Sequence, residues 1–159
     1  MRSELQRLLE PAGIEVFWKD IAERKTSEDF ELIVVASFEG WCSLSVTTSA
    51  LVTVKLADTS ITDGHILPFF RVDCTRVVQL LGSQVESAMF GRALGRVIAH
   101  EIYHIISYTA EHRDTGVSKA VFSARDLKDP RFEFDPLSLG RMGARPVAGV
   151  SDSSEASGR

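Results

Sequence analysis

His100-Glu101-Ile102-Tyr103-His104 is the stretch of this chain whose residue types and spacing could do chemistry together. On a helix, side chains four residues apart share a face, so both imidazoles can reach one Zn²⁺ ion. Glu101 then lies about 100° round the same turn, beside the coordination position that the histidines leave open. Four His and twelve Glu in 159 residues would produce H-E-x-x-H by accident in about one chain in a hundred. The blander alternative is a pair of buried, hydrogen-bonded histidines.

A catalytic zinc centre uses three protein ligands and keeps a fourth position for water. His112, eight residues after His104, is the leading candidate for the third ligand, with Glu111 and Asp114 as alternatives. Eight residues of chain can return to the helix face without strain. Glu101 would be the general base: zinc lowers the pKa of its water toward ~7, and the carboxylate takes the proton as that water attacks a carbonyl carbon. The competing role for Glu101 is a helix-surface salt bridge. Tyr103 and Tyr108 could donate to a developing oxyanion, although Tyr103 reads more simply as a variable position of the motif. Lys119, just past Gly116, could face the site. His65 takes no role, and Trp18 and Trp41 read as core or rim packing.

The elements that must position these groups follow from the apolar pattern. Val85, Ala88, Met89, Leu94, Val97, Ile98, Ile102, Ile105 and Ile106 recur at helical intervals, predicting a long helix over residues 84–108. Ser83 and Glu86 form a capping-box pattern at its start, and toward its end it becomes apolar nearly all round, hence buried. Histidines in such a helix are costly unless paired or ligated. Leu5, Leu8 and Leu9 predict a short amphipathic helix ended by Pro11 and Gly13. Residues 14–18 are a strand candidate, and residues 19–29 are a polar connection. Residues 30–38 are apolar on both faces at their centre, which suits a central strand. Residues 51–56 are a further strand, and Asp63-Gly64 is a hairpin signal after the turn-rich stretch from 58. Residues 65–72 read as a strand that Pro68 confines to an edge. Asp73 can cap a helix through Leu81, and Ser123 with Asp126 can cap another ending before Pro130.

Length and composition fit one domain over residues 1–139, with a disordered tail over 140–159. A net charge of −4 and no Lys/Arg cluster argue against a nucleic-acid partner. No apolar run approaches the ~20 residues of a membrane span, and no signal-peptide core follows Met1. As written, the chain reads as cytoplasmic. Cys42 and Cys74 lack zinc-finger spacing and are either packing residues or one disulfide.

At these residues the chain resembles the zincin metallopeptidases, and within them the metzincin branch and small bacterial zincin-like proteins that carry H-E-x-x-H and a late histidine. The resemblance covers most of residues 1–125. It implies an α+β fold, a twisted mixed sheet packed on helices that include a long central motif helix. An antiparallel edge strand, here residues 65–72, would line a cleft where a substrate peptide adds by strand pairing. It also implies a zinc-dependent peptidase with one Zn²⁺ per chain, metal ligands His100, His104 and His112, catalytic Glu101, and a peptide or protein substrate. The metzincin pattern would place glycine at 107 and histidine at 110, where this chain has Ser107 and Ala110. In the similar proteins Gly-Ile-Met follows the late histidine and its methionine lies beneath the metal. Here Gly116-Val117-Ser118 stands in that place, and the later methionine is Met142. Such domains also put a strand before the first helix; if such a segment stands upstream of Met1, an export signal can stand there too, and the location is then secreted or periplasmic rather than cytoplasmic. Three functions remain in view: a zinc peptidase, a zincin-like module that holds zinc without turnover, and an α/β domain without metal.

Overall fold

The helix that carries the motif organises the rest of the molecule. The computed structural model describes residues 1–23, 29–42, 55–82 and 85–144. Helix α1 is Arg2–Leu9, α2 is Cys74–Leu81, α3 is Ser87–Ser107, α4 is Ala124–Lys128 and α5 is Pro136–Gly143. Strands β1 (Val35–Glu39), β2 (Ala57–Thr62) and β3 (His65–Asp73) form a mixed sheet in the order β1-β3-β2. β1 runs parallel to β3, and β2 antiparallel to it. The described residues therefore form an α+β fold, a small three-stranded mixed sheet with helices.

Every residue of α3 from Ala93 to Ile106 is buried, as an all-round apolar pattern requires. The helix touches α1, α2, α4, α5 and strands β2 and β3. Against α1 it presents Gly95, where an added Cβ would lie 2.8 Å from the Met1 carbonyl oxygen; side-chain-free backbone is what admits the close approach. Leu5, Leu8 and Leu9 of α1 are buried, and Gly13 leaves the following turn at φ 74°. Arg96, fully buried, crosses from α3 to the Glu4 carboxylate (2.7 Å) and to the Asp126 carbonyl (2.8 Å), fastening α1 and α4 to the same helix.

Several local signals act as their chemistry dictates. Asp63 (φ 51°) and Gly64 (φ 77°) close the β2–β3 hairpin between the paired residues Thr62 and His65. Asp73 caps α2 by accepting from the Arg76 N–H at 3.0 Å, and Ser123 and Asp126 cap α4 reciprocally.

Other expectations are corrected. Residues 14–18 form no strand, because the Gln6 side chain takes their backbone bonds: its Nε2 donates to the Ile14 carbonyl (3.1 Å) and its Oε1 accepts from the Val16 N–H (2.9 Å). The apolar run 30–38 supplies only β1, which has one partner among the described residues. Phe70 and Val72 of β3 point into the core, while Arg71 on the opposite face pairs with Asp58 and Glu39 in solvent. A strand in this sheet is thus covered on one face, and Phe30, Ile33 and Phe38 stay partly exposed. β3 is central among the described strands, with Pro68 inside it. The β2 register passes from Thr59↔Phe70 to Ile61↔Ile66, and the β1 register begins only at Phe69, so Pro68 owes a hydrogen bond to neither neighbour. The edge strand against α3 is instead β2, which the sequence placed largely in a turn. Of the strand expected at 51–56, residues 51–54 lie outside the described residues, and Lys55 and Leu56 precede β2.

The motif helix begins at Ser87 with no side-chain cap; the cap expected at Ser83 lies outside the described residues. α5 crosses the expected 139/140 domain limit and buries Met142, and residues 145–159 lie outside the described residues. Cys42 and Cys74 form a disulfide that ties the chain after β1 to the start of α2. Among the described residues no helix is long and apolar enough to cross a membrane.

Candidate metal centre

α3 presents His100 and His104 one turn apart, both buried. Its C-cap, Tyr108, adopts the left-handed conformation (φ 48°), which turns the chain sharply back. The loop that follows brings a third ring to the pair. One ligand atom from each of His100, His104 and His112 lies within 4.8 Å of the others. The converging set contains neither Glu111 nor Asp114; Glu111 is exposed and faces Arg141 at 3.4 Å. His65 lies at the hairpin start in β3, outside the cluster.

The same loop orients the two helical rings. His100 Nδ1 lies 2.7 Å from the Val117 carbonyl oxygen, and His104 Nδ1 lies 2.6 Å from that of Thr109. A carbonyl only accepts, so each Nδ1 must carry the proton and each neutral ring keeps a bare lone pair on Nε2. Those two Nε2 atoms face each other at 3.0 Å. Burial, then the neighbouring His104 and His112, push the His100 pKa down to about 3 against the opposing Val117 bond. Burial likewise lowers His104 and His112. Two neutral imidazoles thus turn Nε2 lone pairs toward each other, and a ring nitrogen of His112 lies within 4.8 Å of both ligand atoms.

This donor set fits a divalent ion. Tetrahedral zinc with Zn–N bonds of 2.0–2.1 Å keeps its ligand nitrogens roughly 3.3 Å apart. The spacings seen here, from 3.0 Å to at most 4.8 Å, bracket that value. Nδ1–H bonds to backbone carbonyls are also the usual way such rings are held for a metal.

Glu101 is buried next to the pair but is not one of the converging groups. Its Oε2 accepts a 2.6 Å hydrogen bond from the Thr59 hydroxyl on β2. Burial, with help from the Asp58 charge, raises its pKa to about 7, opposed by the Thr59 bond and by Lys55. Glu101 is therefore not on the helix surface, and among the described residues it forms no salt bridge. Tyr103 is wholly buried and, among the described residues, its hydroxyl has Arg141 near it but no well-aligned hydrogen bond, whereas Tyr108 is exposed. Lys119 is committed to Asp126 at 2.6 Å.

Four groups of this region escaped the sequence reading. The Val117 and Thr109 carbonyls are backbone atoms and leave no residue-type signal. Thr59 lay in a stretch read as a turn. Arg96, one turn before His100, was visible only as a charge inside an apolar run. No protein-family model matches the chain, and no curated protein or solved structure matches it either.

Proposed function

We propose that this chain is a zincin-like, zinc-dependent metallopeptidase with one Zn²⁺ held by His100, His104 and His112. The observation that carries the proposal is the convergence of three imidazoles, two of them locked by Nδ1–H bonds to carbonyls. Zinc, when bound, supplies a Lewis acid for water and for a peptide carbonyl. Glu101 is the general base: a buried carboxylate beside the histidine pair can take a proton from water. Thr59 anchors Oε2 and leaves Oε1 as the working oxygen. β2, antiparallel and at the edge of the described sheet, is the strand beside which an extended peptide would lie. The Cys42–Cys74 disulfide favours an oxidising compartment over the cytoplasm.

One observation favours a second reading, a zincin-like module that holds zinc without turnover: the Thr59 hydroxyl already engages the Glu101 carboxylate, the group that turnover would need to move a proton. Peptide-library cleavage by the zinc-loaded protein separates the two. The peptidase reading expects cleavage that Glu101→Gln reduces by about 100-fold or more, the ordinary worth of a general base, with zinc content unchanged. Equal cleavage by Glu101→Gln refutes the assigned base, and a zinc-loaded parent that cuts nothing in the library supports the module.

A further inference from the structure

The histidine cluster is braced from behind by a polar group that neither the motif nor the proposed chemistry uses. Ser118 is fully buried, and its hydroxyl lies 2.7 Å from the Ser138 hydroxyl and 3.2 Å from Asp135 Oδ2. The Ser138 hydroxyl donates to the same Oδ2 at 2.7 Å. Asp135 Oδ1 meanwhile accepts from the N–H groups of Leu137 and Ser138, capping α5. One carboxylate therefore serves as the cap of α5 and as the anchor of the loop that carries His112.

Ser118 is where that anchor meets the site. Its carbonyl accepts from the Arg113 N–H at 2.9 Å, fixing the residue next to His112. The residue before it, Val117, offers the carbonyl that orients His100. Val117 N–H in turn donates to the Glu133 carbonyl at 3.0 Å, so the chain leading into α5 runs directly behind the loop. Gly116 (φ 69°) permits this contact, since a Cβ there would collide with the Glu133 carbonyl oxygen. Two of the three candidate ligands are thus referred to α5 through Ser118, while His104 takes its bond from Thr109 near the end of α3.

We infer that Ser118, Asp135 and Ser138 form a clasp that positions His100 and His112 for the metal. The inference rests on the metal reading above and assigns the clasp no contact with substrate. A hydroxyl buried in an apolar core is costly unless satisfied, and here both serines are satisfied by a carboxylate at the mouth of a helix. Such an arrangement tolerates little displacement. Loss of one member lets the loop shift, and ligand groups move with it.

The test is zinc affinity, by competition with a chromophoric chelator, beside the visible absorption spectrum of the Co²⁺-loaded protein. Parent, Ser118→Ala and Ser123→Ala are compared, with thermal melting of each metal-free protein. Ser123→Ala removes the α4 cap without touching the clasp, and so controls for general destabilisation. The clasp predicts that Ser118→Ala weakens zinc binding about tenfold, the low end for groups supporting a metal ligand, and alters the Co²⁺ bands. Ser123→Ala should melt earlier yet keep affinity and spectrum. Parental affinity in Ser118→Ala overturns the clasp, as does a loss in both variants that follows melting temperature alone. A parent that binds neither ion overturns the metal reading itself, which the parent titration reveals before any variant is compared. If Ser118→Ala does not fold, Asp135→Asn, which keeps the shape of the side chain, is read against the same outcomes.

Discussion

Glu4 and Glu101 are both carboxylates at α3, and the protein treats them in opposite ways. Glu4, on α1, meets Arg96 at 2.7 Å and Arg7 at 3.0 Å. Its burial would raise its pKa, but the hydrogen bonds and charges of Arg7 and Arg96 outweigh that and lower it. Glu101, little more than a turn of α3 beyond Arg96, receives a hydroxyl from Thr59 and, among the described residues, no cation at hydrogen-bond distance, and burial lifts it to about 7. A carboxylate that only holds helices together is neutralised by arginine. Glu101 is instead buried and incompletely compensated, which costs stability.

Breaking the structural half should have the largest effect. Arg96→Ala removes the buried partner of Glu4 and a bond to α4, and should lower unfolding free energy by about 3 kcal/mol in urea titrations. A loss well under 1 kcal/mol would mean that Arg7 alone compensates Glu4.

The two carboxylates should also give opposite pH dependences in the metal-free protein. Glu101 has a folded pKa above its unfolded value, so its contribution is complete below about pH 4.5 and disappears as pH rises through about 7, on the order of 3 kcal/mol in all. Glu101→Gln should remove that contribution, so the stability difference between parent and variant should change across pH 4.5–7. The histidines with lowered pKa add stability over the same range in both proteins alike. Glu4 has a lowered pKa, so its contribution is present above its unfolded value near 4.5 and is lost as pH falls through the lower folded value. Stability curves of parent and Glu101→Gln that run parallel between pH 4.5 and 7 would contradict the contrast.

A smaller change sharpens it on the loop side. Gly116→Ala places a Cβ against the Glu133 carbonyl at φ 69°, and should cost about 1–3 kcal/mol of stability. It should also weaken zinc uptake, because the Val117 carbonyl that orients His100 must move. Thermal melting and zinc titration of the variant read both effects.

What the sequence made legible were features encoded within a few residues. Asp63-Gly64, the caps at Asp73 and Ser123, the leucines of α1 and the helical pairing of His100 with His104 all act over one turn or less. The remainder depends on partners distant along the chain. Gln6 decides that residues 14–18 do not join the sheet, and a bulge opposite Pro68 decides that β3 can sit between two strands. The loop carrying His112 could be suspected from its third histidine. Its reach back to α3 depends on the left-handed turn at Tyr108 and on α5, whose last residues, from Gly140, were read as the start of a disordered tail. Asp135-Pro136 was a usable signal for α5, a capping aspartate followed by proline at the first helical position, and the glycine-rich composition after it concealed it.

The account rests on three histidines acting as one metal centre, and metal content tests that most directly. Mass spectrometry of the purified protein under native conditions, beside His112→Ala, should find about one zinc per parent chain and a loss or marked weakening in the variant. Zinc retained in full by His112→Ala would contradict the three-histidine site. A parent that neither carries zinc nor takes it up when added would contradict the metal centre altogether.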